Sequence, residues 1–251
     1  MNHTPNAAAV HVVCRTATST SGGTMYEQER AGAQRVMPER VGCADLVDAM
    51  TRIHGHRADI LDLVSPTPDR PLFGPAATIE YLPYRDDLEE GNALGFAGWF
   101  YRAVGDEPAG KVLVMSSGGY PDASHGGATK LSRVGNNGLA GILADGRIRD
   151  FGELADGPHA TWCTGEATRW GGDTVAPYAA GVPVQVRGVT VVPGDHVFVD
   201  RSGAVVIPEA SVDRVLEEAG RIRSADQGFL PVVRGEDPEQ LRRGSVRSTE
   251  H

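Results

Sequence analysis

Apolar residues recur along this chain with helical spacing in three places. Residues 43–53 carry leucine, alanine, methionine and isoleucine three or four positions apart, which predicts an amphipathic helix. Residues 92–104 are apolar on most faces and predict a buried helix. A third helix is predicted to begin near Pro208, with one apolar face made by Val212, Val215, Leu216, Ala219 and Ile222.

Short apolar runs bounded by glycine, proline and charged residues predict the strands. The runs over 74–83, 111–115 and 139–145 alternate with helical segments. After residue 183 the strand-like segments cluster, with PGD and RSG turns between them. Early alternation followed by clustered strands predicts a layered α/β sandwich rather than a doubly wound sheet.

The same pattern predicts the domain organisation. Residues 1–36 are rich in small and polar residues without a sustained period, and we expect a flexible extension there. Residues 37–228 form the predicted domain, which is long enough to bury a substantial core. Residues 229–251 are mixed and charged and are expected to be a C-terminal tail.

Composition excludes several classes of partner. The chain has 24 lysines and arginines against 33 acidic residues, a net charge of −9, and no basic run. We therefore expect neither nucleic acid nor a membrane surface as a partner. No apolar run approaches the roughly 20 residues that span a bilayer, and no basic segment opens the chain, so neither a membrane span nor a signal peptide is expected. Three widely spaced cysteines predict neither a disulfide framework nor a zinc knuckle, which favours the cytoplasm.

The glycine-rich segment over residues 125–154 carries the most informative chemistry. Gly126 and Gly127 precede a predicted helix, whose first-turn N–H groups can bind an anion. The next predicted strand is followed by Arg149, whose guanidinium suits a carboxylate, and by Asp150, whose oxygens suit Mg²⁺. Ligands of α/β sheets bind at this edge. The segment predicts a site for a small carboxylate and a metal ion, and an ordinary surface ion pair beside a turn is the alternative.

Two motifs in order carry a resemblance to a known family. GLAGILADGRIRD over 138–150, followed by VPGDHVFVDRSGAVVIP over 192–208, resembles the RraA-like family. That family includes the regulator of ribonuclease activity A and the class II pyruvate aldolases that cleave 4-hydroxy-4-methyl-2-oxoglutarate. The resemblance extends from about Cys43 to Ile222. It implies a β/β/α sandwich of the swivelling-domain type, assembled as a homotrimer or hexamer with active sites at subunit interfaces.

The resemblance also implies roles for particular residues. In the aldolases, the position of Arg149 binds the substrate carboxylate and assists proton transfer. The position of Asp150 helps to hold a divalent metal ion, Mg²⁺ or Mn²⁺, largely through waters. The metal would stabilise the enolate formed when a C–C bond breaks. Substrate-binding positions follow the glycine loop, the last three through backbone amides: Gly127, Ala128, Thr129, Lys130 and Leu131.

The chain departs from the aldolase pattern at one important position. Ala128 stands 21 positions before Arg149 (149 − 21 = 128), where the aldolases have an acidic residue that orients the metal's waters. Lys130 and Arg133 make the same region more cationic, and we expect Lys130 to bind an anion rather than to form a Schiff base.

The sequence offers several candidates for the residue that would transfer a proton during the reaction. The aldolases take it from a neighbouring subunit's C-terminal region, where Glu217 or Glu218 could serve. His125 adjoins the glycine loop and is the histidine best placed for proton transfer, although we favour a structural role for it.

Three functions remain open from the sequence. The leading one is a metal-dependent carbon–carbon lyase acting on a small anionic 2-oxo acid, of the class II pyruvate aldolase or oxaloacetate decarboxylase type. The second is a non-catalytic regulator that binds another protein, which the missing carboxylate at Ala128 favours. The third is a specialised biosynthetic enzyme that keeps the scaffold and has altered chemistry.

Overall fold

The computed structural model describes residues 35–243, without the side chains of residues 89–92. The flexible extension predicted over residues 1–36 lies outside this range except at its last two positions, as does the predicted tail beyond residue 243. No helix within the described range combines the length and apolar character needed to cross a membrane.

Helices and strands alternate through the first two thirds of the described chain and strands cluster in the last third. The helices are α1 (Cys43–Ile53), α2 (Glu89–Val104), α3 (Ala128–Asn136), α4 (Phe151–Ala155), α5 (Val212–Arg234) and α6 (Pro238–Arg242). The strands are β1 (Asp59–Ile60), β2 (Leu72–Pro83), β3 (Val112–Met115), β4 (Ser124–Gly126), β5 (Gly141–Ala144), β6 (Arg147–Ile148), β7 (Ala160–Trp162), β8 (Gly165–Glu166), β9 (Val175–Ala180), β10 (Val184–Val186), β11 (Val189–Val191), β12 (His196–Asp200) and β13 (Gly203–Ile207).

Strand β2 organises the main sheet because successive parts of it have different partners. The sheet has the order β1-β13-β12-β2-β3-β5-β7, and β9 also pairs with β2. Residues 72–75 of β2 pair antiparallel with β12, residues 76–79 pair parallel with β3, and residues 79–83 pair antiparallel with β9. A register irregularity between Glu80 and Tyr81 marks the bend. The far half of β2, which includes Tyr81, therefore pairs with β9 within the same sheet.

Two smaller sheets complete the strand layers. Strands β4, β6 and β8 form a parallel sheet, and β10 and β11 form a hairpin. The hairpin turns at Arg187 and Gly188, which both have positive φ (49° and 85°), as expected for a tight turn between twisted strands.

The core consists of three apolar clusters that separate the layers. One lies between the main sheet and helices α2 and α3 and includes Ile79, Leu113 and Ile142. A second lies on the opposite faces of the same strands, where the β10–β11 hairpin packs. In the third, α1 and α5 pack on β12 and β13, and each fully buried side chain such as Leu46 or Val215 contributes about 1.5–3 kcal/mol. The predicted layered α/β sandwich is confirmed.

Two elements differ from the sequence prediction. Helix α2 is not continuous, because Gly95 has φ 56° and ψ −172°, a conformation open only to glycine. Helix α5 continues through Pro231 to Arg234, past the expected boundary at residue 228.

Candidate active site

The glycine loop and the Arg149–Asp150 pair lie side by side because β4 and β6 are parallel neighbours. Ser124 pairs with Arg147, and the N–H of Arg149 donates to the carbonyl of Gly126 at 2.9 Å. The carboxyl ends of both strands therefore reach the same edge. The structure therefore brings the glycine loop and the Arg149–Asp150 pair together.

Asp150 adopts a left-handed conformation, with φ 68° and ψ 45°. For a non-glycine residue this backbone costs free energy and is typical of functional sites. It directs the carboxylate back towards α3, where Oδ2 accepts a hydrogen bond from the N–H of Ala128 at 3.1 Å. Gly127 makes this possible, because a Cβ at that position would collide with Oδ2 of Asp150.

The first turn of α3 presents unpaired N–H groups at this edge. Leu131 is fully buried, and its N–H donates to the carbonyl of Gly127 at 3.0 Å, so Leu131 acts through the core rather than as a donor to a ligand. The N–H of Ala128 is taken by Asp150. The N–H groups of Thr129 and Lys130 have no intrahelical acceptor in this turn. They are two of the three amides that the resemblance implies.

Three cationic side chains surround the helix start. The pKa of Lys130 is lowered by partial burial and by the charges of Arg133 and Arg149. Nε of Arg149 lies 3.7 Å from Oδ1 of Asp150, and both side chains stay about a third exposed, at 36% and 32%. The guanidinium therefore has donors left for an anion. We call Thr129, Lys130, Arg149 and Asp150 the cationic end of the site.

The cationic end opens into a cavity of about 450 Å³. Apolar and aromatic residues also line the cavity, and we call Tyr84, Phe96, Trp170, Val175 and Pro177 the aromatic wall. None of these residues was expected from the sequence to contact a ligand. The aromatic residue followed by two glycines at residues 170–172 is a local signal for Trp170 but not for the others.

His125 lies under the cavity and is held by backbone acceptors. Its Nδ1 is 2.9 Å from the carbonyl oxygen of Ala123, and its Nε2 is 3.1 Å from that of Ser117. Burial lowers the pKa of the imidazole. The hydroxyl of Tyr81 donates to the His125 carbonyl at 2.9 Å. Because both ring nitrogens face the backbone, the structural role of His125 is favoured over proton transfer.

Glu217 and Glu218 are engaged elsewhere on their own chain. Oε1 of Glu218 accepts from Nη1 of Arg52 at 2.9 Å, and this bond lowers the pKa of the carboxyl. Glu217 pairs with Arg221. Neither glutamate lines the cavity of the chain that carries it.

The donor set for a divalent metal ion is small. Within residues 35–243, side chains of histidine, cysteine, aspartate and glutamate form no group of three or more that could hold a metal ion. Asp150 is the carboxylate that lines the cavity, and Ala128 adds no side-chain oxygen. Such a set fits Mg²⁺ or Mn²⁺ where water and substrate oxygens complete the coordination, because Mg²⁺ keeps several waters.

Comparison with known proteins agrees with this geometry. Residues 43–206 match the RraA-like family, described as Aldolase/RraA. A Burkholderia mallei protein, provisionally named 4-hydroxy-4-methyl-2-oxoglutarate aldolase, is 31% identical over 144 residues, which are 57% of this chain and 79% of that protein. Protein DlpA of Legionella pneumophila is 26% identical over 210 residues, which are 82% of this chain. The matched region is 33% of DlpA, so the chain spans about a third of that relative's length.

A solved structure shares the fold. Streptomyces coelicolor RraAS2, described as an unusual member of the RNase ES inhibitor RraA protein family, matches with a TM-score of 0.65 and 26% identity. The match covers 75% of this chain and 91% of that one. With a family match over residues 43–206, the chain belongs to the RraA-like family.

Proposed function

We propose that the chain is a metal-dependent carbon–carbon lyase acting on a 2-oxo acid, of the class II pyruvate aldolase or oxaloacetate decarboxylase type. The observation that supports this most strongly is the placement of Arg149 and Asp150 beside the free amides of α3, at the mouth of a cavity. An aldolase name on a relative 31% identical over part of the chain supports the same reaction class.

Arg149 would bind and orient the carboxylate of the substrate. Its planar guanidinium can donate two parallel hydrogen bonds, which fixes the direction of the 2-oxo group. The N–H groups of Thr129 and Lys130, and the ammonium of Lys130, would favour negative charge on the 2-oxo oxygen as the C3–C4 bond breaks. In oxaloacetate, the C3–C4 bond breaks and C4 leaves as CO₂. The electron pair of that bond stays on the remaining fragment as the enolate of pyruvate, and C3 then takes up a proton.

Asp150 would hold the metal ion together with water and substrate oxygens. A bound Mg²⁺ or Mn²⁺ ion supplies Lewis-acid polarisation of the 2-oxo group. The hydrogen bond from Ala128 to Oδ2 orients the carboxylate and leaves Oδ1 facing Arg149 and the cavity.

The test measures pyruvate release from oxaloacetate with a coupled lactate dehydrogenase assay, in the presence of Mg²⁺, of Mn²⁺ or of EDTA. We expect turnover that EDTA abolishes, and a loss of about 100-fold or more in kcat/KM for Arg149→Ala. The matched control is Arg57→Ala, since Arg57 pairs with Asp59 and does not line the cavity. The proposal fails if metal addition gives no enzymatic turnover above the metal-only rate, or if Arg149→Ala keeps wild-type activity.

A protein-binding regulator is the second candidate. Ala128 supplies no oxygen where the aldolases are acidic, and one oxygen of Asp150 is already bonded to the backbone. A net charge of −9 would suit a basic partner. Absence of turnover, combined with specific binding of a basic protein that high salt weakens, would favour this candidate.

We further propose that the chain self-associates as a homotrimer or hexamer. The last part of α5 supports this, because Leu230, Val232 and Val233 are 44–52% exposed on one described chain. Leu230 and Val233 stand three positions apart and are neighbours on one face of the helix, and exposed apolar residues on one face are typical of association surfaces. Sedimentation velocity measures the assembly directly, and a monomer at micromolar concentration would contradict it.

A further inference from the structure

The two ends of the cavity differ in chemistry. The cationic end carries the charged side chains that line the cavity within the described chain: Lys130, Arg149 and Asp150. The other lining side chains of the described chain are neutral, and those of the aromatic wall are mostly apolar. A ligand that fills the cavity therefore meets charge at one end and apolar surface at the other.

The loop that carries Trp170 packs closely against its neighbours. The indole of Trp170 lies over Gly172, where it occupies the place that a Cβ would take. A Cβ on Gly171 would collide with the backbone of Ser124, so the loop is pressed against β4. The carbonyl of Gly171 accepts from the N–H groups of Thr174 and Val175, both at 2.9 Å.

The other wall residues are tied to the same loop. The N–H of Tyr84 donates to the carbonyl of Thr174 at 2.9 Å, which joins the end of β2 to the Trp170 loop. Phe96 follows the break in α2 at Gly95 and is 7% exposed. Trp170 is 56% exposed and lines the cavity, so part of its apolar surface has no cover within the described chain. Such an exposed aromatic surface suits an apolar ligand group.

The size of the cavity points the same way. A volume of about 450 Å³ lies in the range of sites that hold drug-sized ligands, about 300–1,000 Å³. A pyruvoyl head group bound at Arg149 would leave most of that space unfilled. A second carboxylate that reaches the aromatic wall, as in 2-oxoglutarate, which is longer than oxaloacetate, would meet no cation of the described chain there. Burying it there would carry a desolvation cost without a partner.

We propose that the substrate is a monocarboxylic 2-oxo acid whose far end carries an aromatic or bulky apolar group packed on Trp170, Tyr84 and Phe96. This specificity rests on the proposed lyase function. For a 4-hydroxy-2-oxo acid with an aryl group on C4, the C4 hydroxyl proton goes to a base, C4 becomes an aldehyde carbonyl and the C3–C4 bond breaks. Its electron pair forms the enolate of pyruvate, which takes a proton at C3. The products are pyruvate and an aromatic aldehyde.

The experiment measures binding, which does not require turnover. In calorimetric titrations with Mg²⁺ present, the probes are 2-oxobutanoate, 2-oxo-4-phenylbutanoate and 2-oxoglutarate. We expect 2-oxo-4-phenylbutanoate to bind about tenfold or more tightly than 2-oxobutanoate, which corresponds to about 1.4 kcal/mol. We expect 2-oxoglutarate to bind no more tightly than 2-oxobutanoate.

Two variants assign the preference to the wall. Trp170→Ala and Tyr84→Ala are each expected to reduce the preference for the phenyl compound over 2-oxobutanoate to within about threefold. Tyr178→Ala is the matched control, because Tyr178 is 44% exposed, close to the 42% of Tyr84, and does not line the cavity. Circular dichroism checks that each variant is folded.

The outcomes separate this inference from the lyase function. Equal affinities for 2-oxobutanoate and 2-oxo-4-phenylbutanoate, or tighter binding of 2-oxoglutarate, would overturn the inference even if oxaloacetate is turned over. The inference would also be overturned if Trp170→Ala and Tyr84→Ala both kept the wild-type preference for 2-oxo-4-phenylbutanoate over 2-oxobutanoate. A third outcome is that oxaloacetate is not turned over, while 2-oxo-4-phenylbutanoate binds more tightly than 2-oxobutanoate and Trp170→Ala removes this difference. That outcome would overturn the lyase function and support the assignment of the aromatic wall.

Discussion

The cationic end and the aromatic wall of the cavity are built in different ways. The cationic end comes from one continuous segment, and its geometry depends on backbone features: a glycine at 127, a left-handed Asp150 and the free amides of α3. The aromatic wall comes from three segments far apart in sequence, which carry Tyr84, Phe96 and Trp170. The first end is fixed by backbone conformation, and the second by packing between distant parts of the chain.

Substitutions at the cationic end and in the aromatic wall should therefore affect different properties of the protein. Variants of the cationic end should abolish turnover of every substrate. Variants of the wall should change which substrate is preferred. The following variants test this separation.

Gly127→Ala should have the largest effect. Its Cβ would collide with Oδ2 of Asp150, which breaks the hydrogen bond to Ala128 and moves the carboxylate. Because displacement of a catalytic group by about 1 Å can cost about 100-fold, we expect kcat/KM for oxaloacetate to fall by about that factor. The coupled pyruvate assay measures it.

Gly152→Ala is the matched control for that variant. Gly152 lies in α4, close to the same segment, and a Cβ there meets no atom within 4 Å. Wild-type turnover is expected. Similar losses in both glycine variants would mean that general damage to the segment, rather than displacement of Asp150, causes the effect.

Gly172→Ala should have a smaller and selective effect. The new Cβ would displace the indole of Trp170, which is the outer part of a side chain and can move without a change of fold. We expect affinity for 2-oxo-4-phenylbutanoate to fall about fivefold, with oxaloacetate turnover within about twofold of wild type. Gly55→Ala, where a Cβ has open space, is the control. Loss of oxaloacetate turnover in Gly172→Ala would show that the two ends are not independent.

Lys130 should give the smallest effect, seen as a dependence on pH. Its pKa is lowered by partial burial and by Arg133 and Arg149, so it loses its charge at a lower pH than an exposed lysine. Affinity for 2-oxobutanoate should therefore decrease about three- to fivefold between pH 7.5 and 10. In Lys130→Arg the charge persists, and titration should find a nearly constant affinity. An identical decrease in both proteins would assign the pH dependence to another group.

The cationic end could be predicted from the sequence because its residues all lie within the one glycine-rich segment, residues 125–154. The helix over 43–53, the strands around β3 and β5, and the stripe beginning at Val212 also follow from the local period of apolar residues. The layered fold follows from their order, and the family from the motifs at 138–150 and 192–208.

The aromatic wall could not be found in the same way. Trp170 faces the cavity because its loop packs against Ser124 and bonds to Tyr84, contacts that no local pattern encodes. Phe96 depends on the break at Gly95 inside an otherwise helical run. The two ring nitrogens of His125 likewise contact the carbonyls of Ala123 and Ser117, which come together only in the folded chain.

The central claim is that one cavity binds a 2-oxo acid by its carboxylate at Arg149 and by its far end at Trp170. A crystal structure of the protein with Mg²⁺ and 2-oxo-4-phenylbutanoate tests it most directly. The account predicts the carboxylate within hydrogen-bond distance of the Arg149 guanidinium, with the phenyl ring against the Trp170 indole. A carboxylate bound away from Arg149, or a ring directed away from the aromatic wall, would contradict it.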